Sequence, residues 1–426
     1  MMRLAHLLIL LVFFNLTVQA ENLRTQVLEE INNKGEVRIV VALKLPDFDR
    51  SNMLSLNTHV KSSQNKVLSA LGTDDYQIIH QYKSVPGLAL TISSIGVLEK
   101  LMQDENVLKV DLDVGGVGAL NESRPYINAD FIQNLGVTGS GVTVAVVDSG
   151  FDTNHADLQD NLVYEHCVCT NCCPTGGSVG DGPGSAEDDH SHGTHVSGII
   201  TSNGTTAPLG IAPETGIVAV KMLDSNNSFC CSSDIVGSLD WILNNRADVK
   251  IVNMSLGTSA EFAGDCDNST SWTMNLASVI SSLKNNGVLS VVSSMNNGNT
   301  NGMGAPACIS SAIAVGATGD NNDNIASFSN SSTSLDILAP GVSITSTFMD
   351  GGSINYSGTS MAAPHVTAVG ALLYDLYPNA SASQVESCLR TSSTLITDTR
   401  NNITRPRLNA VESIACIDTI FSNSFE

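Results

Sequence analysis

Three short segments carry residue types that can share one acyl-transfer reaction. Asp148 ends the apolar run VTVAVVD, His192 lies in the stretch DDHSHGTHVSG, and Ser360 lies in YSGTSMAAPH. A serine hydroxyl is a weak nucleophile until a base takes its proton, and an imidazole does so when a carboxylate orients it. The order Asp, His, Ser is one of three chain orders known for such a triad. The three residues together therefore fit nucleophilic catalysis by serine.

Each segment has another interpretation when taken alone. Three of the nine histidines, His190, His192 and His195, lie within a few positions, which could indicate a metal site or a histidine-rich turn. Asp148 could serve a turn, and Ser360 could cap the helix predicted after it. The triad accounts for the histidine-rich stretch without a metal, and the neighbouring residue types complement a metal site poorly.

Buried strands and helices alternate around these segments. The runs GVTVAVVDSG, IVAVKML, VKIVNMSLG, GVLSVVSSM and SAIAVGAT are rich in Val, Ile and Ala without alternation, as in strands buried on both faces. Between them, SDIVGSLDWILNN and WTMNLASVISSLKNN have helical periodicity. The pattern predicts an α/β fold with a largely parallel sheet flanked by helices. In such sheets functional residues lie at the carboxyl ends of strands.

The chain before this domain divides into two predicted parts. Residues 1–20 have an Arg, a short apolar core and small residues near Ala20, which indicates a secretory signal peptide, with a membrane anchor as the alternative. Residues 21–120 show the order βαββαβ and predict a small α+β ferredoxin-like domain. The Gly- and Asn-rich segment GGVGALNESRP then indicates a linker. We expect a secreted, extracellular protein.

The negative charge lies mainly in the second part of the chain. Of the net charge of −22, the residues after Leu120 carry most, with 9 Lys and Arg against 29 Asp and Glu. Such a surface argues against nucleic acid and anionic membranes as partners and favours a solvated acidic surface. No further segment after the signal peptide is apolar and long enough to predict a membrane span.

All ten cysteines also follow Leu120, and an even number in an exported protein suggests disulfides. Cys266 with Cys308 and Cys388 with Cys416 are reasonable pairs. The segment CVCTNCC, residues 167–173, could pair with the doublet Cys230–Cys231 or form a thiolate metal cluster. The sequence does not fix the connectivity.

The segments VAVVDSG, HGTHVSG and GTSMAAPH resemble the three signature blocks of the subtilisin-like serine proteases. IVNMSLG, AIAVGA, ASFSN and LDILAPGVSI extend the resemblance over roughly residues 127–389. The resemblance implies that Asp148 orients, His192 is the general base and Ser360 is the nucleophile. It also implies a serine endopeptidase acting on proteins and peptides. Residues 21–120 would then be an inhibitory propeptide, and 121–416 the catalytic domain of a monomeric enzyme.

The resemblance implies further site residues. The strand LSVVSSM runs into NNGN, and counting from the strand puts Asn297 at the position of the oxyanion amide, with Asn296 replacing the usual Gly. Ser255, Leu256 and Gly257 would pair with the peptide and wall the main pocket, and Gly304 with Ala305 would form its floor. We expect broad or apolar specificity, because no charged residue is evident there.

Calcium is the cofactor that the resemblance implies. Asp157 in DTNHADL matches a calcium ligand of the family, and the loop SNGTTAPLGIAPE corresponds to a calcium loop but is one residue short. Oxygen ligands of this kind suit a structural Ca²⁺ ion. The insertion before DDHSHGTH is predicted to be a surface loop beside the cleft, held by disulfides.

Residues 417–426, which read IDTIFSNSFE, are predicted to form a tail outside the family fold. The tail could be an address for sorting or a docking strand, or its aromatic residues could pack onto the catalytic domain. Two other functions are open for the whole chain: an inactive homologue that acts as a binding module, and a hydrolase of esters or small amides. The complete triad argues against the first.

Overall fold

The structure is a computed structural model that describes residues 23–46, 53–72, 76–82, 86–112 and 123–422. The predicted signal peptide and the last four residues of the chain lie outside these ranges. The chain divides into two compact units, residues 1–117 and 118–426. No helix in the described ranges is long and apolar enough to cross a membrane.

The N-terminal unit is a four-stranded antiparallel sheet with helices. Its elements are a helix at 23–34 (α1), β1 Val37–Leu43, α2 Met53–Leu71, β2 Tyr76–Gln81, β3 Gly87–Ile92, α3 Ile95–Gln103 and β4 Val107–Leu112. The strands lie in the order β2-β3-β1-β4. Alternate residues of β1, such as Ile39 and Val41, face a core that also contains Leu90 and Leu98. From β1 onward the order is the expected βαββαβ, and only α1 was not anticipated.

The C-terminal unit is built on an eight-stranded sheet. Its strands are β5 Thr143–Asp148, β6 Leu162–Val168, β7 Val179–Asp181, β8 Gly216–Lys221, β9 Val249–Met254, β11 Leu289–Ser293, β13 Ile313–Thr318 and β14 Ile337–Pro340. They lie in the order β14-β13-β11-β9-β5-β8-β6-β7, and all neighbours are parallel except β6 and β7. The prediction of a largely parallel sheet is confirmed.

Helices cover both faces of this sheet. The helices of the unit are α4 Ser123–Tyr126, α5 Ala129–Gln133, α6 His192–Thr201, α7 Ser232–Asn245, α8 Ser271–Asn285, α9 Thr359–Leu376, α10 Ala382–Leu389 and α11 Ala410–Ser422. α6 and α9 pack in the core on one face, and α7 and α8 in the core on the other. The short paired strands are β10 Glu261–Phe262 with β12 Met303–Gly304, β15 Ile344–Phe348 with β16 Gly352–Tyr356, and β17 Leu395–Asp398 with β18 Ile403–Pro406.

The cysteines pair mostly within their own segments. Cys266–Cys308 and Cys388–Cys416 form as expected. The segment 167–173 does not pair with the doublet, because Cys167 bonds Cys173 and Cys169 bonds Cys172. Cys230 and Cys231 bond each other. The insertion is also not a simple surface loop, since β6 joins the main sheet beside β8 and β7 forms its edge.

The chain end is helical rather than a separate tail. α11 continues through Cys416 to Ser422, and Ile417 is fully buried in the core. The ring of Phe421 stacks on Tyr377 with the ring centroids 4.6 Å apart, and the Tyr377 hydroxyl donates to Asp418 at 2.6 Å. The boundary predicted at residue 417 is therefore wrong, because apolar residues at helical spacing pack onto the domain. Phe425 lies outside the described residues.

Candidate active site

Asp148 and His192, the carboxylate and the base of the predicted triad, are in direct contact. Asp148 is the last residue of β5, a strand buried on both faces, and His192 is the first residue of α6. The Nδ1 atom of His192 lies 2.6 Å from Oδ1 of Asp148. Burial alone would lower the pKa of His192, but the negative charge of Asp148, with a smaller effect from Asp188, raises it above its ordinary value. The imidazole is thus oriented and made more basic.

Asp188 holds the start of the helix that carries His192. Its carboxylate accepts hydrogen bonds from the backbone N–H groups of His190, Ser191 and Thr194 and from the hydroxyls of Ser149 and Thr194. Burial alone would raise the pKa of Asp188, but these donors outweigh it and hold the pKa below its ordinary range. Asp188 therefore stays ionised at the N-terminus of α6, where negative charge is favourable.

A buried lysine at the end of β8 binds the segment that precedes His192. Lys221 ends β8, lies beside Asp148 in the sheet register, and is fully buried. Its ammonium donates to Asp189 Oδ1 at 2.6 Å, to the Ser149 carbonyl at 2.5 Å and to the Leu223 carbonyl at 3.1 Å. A buried charge needs such partners. The pair fixes the segment before His192 against the end of the sheet.

Ser360 lies in the first turn of α9, and α9 packs against α6. The Ser360 hydroxyl donates to the carbonyl of Ser255 at 3.2 Å, and the Ser255 hydroxyl donates to the Ser360 carbonyl at 2.8 Å. Both side chains are nearly buried. The structure thus brings the predicted nucleophile against the predicted substrate-binding segment after β9.

The asparagine beside the serine is Asn296 rather than Asn297. Asn296 Oδ1 accepts from the N–H of Thr359 at 2.8 Å and from its hydroxyl at 3.0 Å. Its Nδ2 would lie 3.4 Å from a β-carbon placed on Gly358. The side chain of Asn297 instead donates to Glu261 at 2.7 Å.

Asn297, the amide expected at this position, therefore contacts Glu261, and Asn296 is the asparagine that contacts the segment of Ser360. Met295, not Asn296, has the positive φ, at 80°, that a glycine would normally supply after this strand. Because the chain has a methionine where a glycine would be expected, the position of the asparagine cannot be counted from a glycine in the sequence.

The remaining predicted substrate residues line one region. The side chain of Met295 lies next to both Gly257 and Gly304. Leu256 is buried. The N–H of Thr258 donates to the Ala305 carbonyl at 2.8 Å, which joins the two segments. Glu261 pairs with Gly304 in the register of β10 and β12.

Glu261 is occupied by amides of neighbouring loops. Asn297 and Asn330 each donate to its Oε1 at 2.7 Å, and Asn299 donates to Oε2. Burial would raise the pKa of Glu261, but these amides outweigh it and hold the pKa below its ordinary range. The carboxylate therefore fixes the loop after β11.

The other histidines of the opening stretch have separate surroundings. His195 is buried on the inner side of α6, as expected, with Nε2 3.1 Å from the Ile344 carbonyl. Burial lowers the pKa of His195 to about 3, so that it stays neutral. His190 is a loop residue. No group of three or more His, Cys, Asp or Glu side chains within the described ranges could hold a metal ion.

Asp157 does not offer a free carboxylate to a cation. It is buried, and its oxygens accept from the N–H groups of Thr206 at 2.9 Å and Ala207 at 2.8 Å and from the hydroxyls of Ser202 and Thr206. Calcium requires oxygen lone pairs, whereas these donors direct hydrogens at the carboxylate. The residues here do not fit the calcium site expected at Asp157.

Comparison with known proteins gives one consistent result. A family described as the Subtilase family matches residues 139–410. M-protease of Shouchella clausii (strain KSM-K16) is 34% identical over 333 residues, which cover 77% of this chain and 79% of that protein. Subtilisin E of Bacillus subtilis (strain 168) is 36% identical over 326 residues, covering 74% and 77%.

A solved structure agrees with these relatives. A cold adapted subtilisin-like serine proteinase is similar with a TM-score of 0.52 and 29% identity, covering 64% of this chain and 90% of its own.

Proposed function

The chain belongs to the subtilase family and is a serine endopeptidase, and we propose that Asp148, His192 and Ser360 form its catalytic triad. The observation that carries the assignment is the buried 2.6 Å contact between His192 and Asp148 at the carboxyl end of β5. Ser360 lies on the helix that packs against α6.

The reaction would begin with a turn of the Ser360 hydroxyl from the Ser255 carbonyl toward His192. Catalytic hydrogen bonds are often long or misaligned before substrate binds. Nε2 of His192 then takes the hydroxyl proton while Oγ forms a bond to the peptide carbonyl carbon. The C–N bond breaks as the imidazolium gives its proton to the leaving amine. Water, activated by the same imidazole, then hydrolyses the acyl-enzyme.

The developing oxyanion would be bound by two donors. One is the N–H of Ser360 at the start of α9, where the helix dipole favours negative charge. The other is Nδ2 of Asn296, whose Oδ1 is held by Thr359. An amide fixed in this way acts without reorganisation during the reaction.

The peptide substrate would pair with the backbone of Ser255, Leu256 and Gly257. Main-chain pairing of this kind contributes affinity with little dependence on substrate sequence. Selectivity would then come from the pocket beside Gly257 and Gly304.

The N-terminal unit would be an intramolecular inhibitor of a monomeric pro-enzyme. The match to M-protease covers 77% of this chain, more than residues 139–410 represent, so the relative shares residues beyond the catalytic part. We propose that residues 1–20 direct secretion and that residues 21–120 are removed by self-cleavage near Leu120. The cysteine pairs are consistent with an oxidising extracellular compartment.

Calcium has no assigned place in this proposal. Subtilases commonly bind structural calcium, but the hydrogen-bonded Asp157 does not fit a ligand role. No step of the reaction proposed here depends on a metal.

The test uses the wild-type protein, Ser360→Ala and the control Ser353→Ala, which changes an exposed serine of β16. A fluorophosphonate should label wild type and S353A but not S360A, and casein should be cleaved by the same two proteins. In a host without other proteases, S360A should keep residues 21–120 attached.

Three results would contradict parts of the proposal. Labelling of S360A would reject the nucleophile. Cleavage of short esters without cleavage of casein would indicate a different hydrolase. Normal removal of residues 21–120 from S360A would reject self-cleavage and would leave the assignment of the nucleophile intact.

A further inference from the structure

The region beside Ser360 where a substrate side chain would lie is bounded by two glycines. Gly257 follows the segment whose Ser255 exchanges hydrogen bonds with Ser360. Gly304 lies beside this segment, since the residues after the two glycines, Thr258 and Ala305, are joined by hydrogen bonds. The absence of side chains at both glycines leaves space there.

The side chain of Met295 occupies this room. A β-carbon on Gly257 would lie 2.7 Å from the Sδ atom and 2.9 Å from the Cγ atom of Met295. A β-carbon on Gly304 would lie 3.3 Å from the same Cγ atom. The side chain of Met295 therefore lies beside both glycines.

The backbone of Met295 is held so that its side chain has this direction. Its φ of 80° is in the left-handed region that favours glycine. Its N–H donates to the Thr359 hydroxyl at 3.1 Å, and its carbonyl accepts from the N–H of Asn330 at 2.9 Å. A non-glycine residue persists in this conformation when its surroundings determine it, and such residues are frequent at functional sites.

We propose that Met295 sets the size of the pocket for the substrate side chain on the acyl side of the scissile bond. The enzyme would then prefer a small residue there, such as Gly, Ala or Ser, over Leu or Phe. This inference rests on the proposed function, because it needs Ser360 as the nucleophile. It also replaces the broad or apolar preference that the sequence alone suggested.

The test compares peptides that differ only in the residue before the cleaved bond, with Ala, Leu or Phe at that position. Wild type should have a kcat/KM for Ala about tenfold or more above that for Phe, because a side chain too large for the space beside Met295 opposes binding in the transition state. Met295→Gly should raise the kcat/KM for Phe relative to Ala by about tenfold or more. Met295→Leu, which keeps the volume, should keep the wild-type ratio.

The outcomes separate this inference from the proposed function. Fluorophosphonate labelling with hydrolysis of Phe and Ala peptides at equal rates would overturn the inference and leave the proposed function intact. The inference would also be overturned by a folded, labelled M295G whose Phe-to-Ala ratio equals that of wild type. A wild-type protein that neither labels nor cleaves any peptide would contradict the proposed function itself.

Discussion

Nδ1 of His192 lies 2.6 Å from Oδ1 of Asp148, and the two side chains are 11% and 0% exposed. A contact so shielded from solvent is electrostatically stronger than one at the surface. Its effect opposes burial, which alone would lower the pKa of His192, and the result is a pKa above the ordinary value. This relationship yields the first prediction.

Asp148→Asn should lower kcat by about 10⁴-fold, because the imidazole loses both its orientation and its partner charge. The base acts when neutral, so a raised pKa places the acid limb of the kcat/KM profile above the ordinary histidine value. Removing the Asp148 charge lowers that pKa, and the acid limb of the residual activity should move to lower pH. The measurement is kcat/KM against pH, with exposed Asp240→Asn as control. An acid limb that stays in place or rises would reject the assignment.

Asp188→Asn should have two smaller effects. The negative charge of Asp188 contributes less than that of Asp148 to the raised pKa of His192, so the acid limb should move down by less than in D148N. The neutral amide would also leave buried donors at the start of α6 without an anionic acceptor. We expect a loss of about 1–3 kcal/mol in the free energy of unfolding, measured by urea denaturation. Unchanged stability and an unchanged profile would exclude a positioning role for Asp188.

The adjacent asparagines form a matched pair for the oxyanion assignment. Asn296→Ala should reduce kcat by roughly 10²–10³-fold, with KM little changed, because the lost donor acts mainly in the transition state. Asn297→Ala removes only a hydrogen bond to Glu261 and should retain near wild-type kcat. The opposite order of the two effects would restore Asn297 as the oxyanion donor.

The features that the sequence predicts correctly differ in physical origin from those that it does not predict. The buried strand runs predicted the parallel sheet, and strand ends and helix starts located Asp148, His192 and Ser360, because local periodicity specifies these features. The position of Asn296 depends on a positive φ at Met295, which the residue type argues against. Nothing local in the sequence reveals that conformation.

The other differences arise from contacts between distant segments. The Asp157 carboxylate accepts hydrogen bonds from Ser202 and Thr206, 45 and 49 residues away, so that its oxygens already have partners where calcium was predicted. The pairing within CVCTNCC depends on the return of the chain through β7, whose Gly180 lies opposite Cys167. These hydrogen bonds and disulfide pairings depend on tertiary packing, which the local sequence does not specify.

Asp157→Ala should destabilise the enzyme through lost hydrogen bonds rather than through a lost ion. The buried N–H group of Ala207 and the partly buried N–H group of Thr206 would lose their acceptor, at a cost of about 1–3 kcal/mol. A chelator should leave any effect of this residue unchanged, so the difference in melting temperature between D157A and wild type should be the same with and without chelator. A difference that disappears in chelator would instead restore Asp157 as a calcium ligand.

Phe421→Ala tests whether the chain end belongs to the catalytic domain. The ring stacks on Tyr377, and α11 is anchored nearby by buried Ile417 and by the Cys388–Cys416 disulfide. An aromatic pair contributes about 0.5–1.5 kcal/mol beyond the area that it buries, so F421A should lower the melting temperature. Thr419→Ala, which changes an exposed residue of the same helix, should not lower it, since alanine is the better helix former.

Secretion tests the alternative that the chain end is a sorting signal. If Phe421 serves only to pack α11, the secretion of F421A, measured as the fraction of folded protein in the medium, should equal that of wild type. Unchanged melting together with reduced secretion would show that this end acts as a sorting signal.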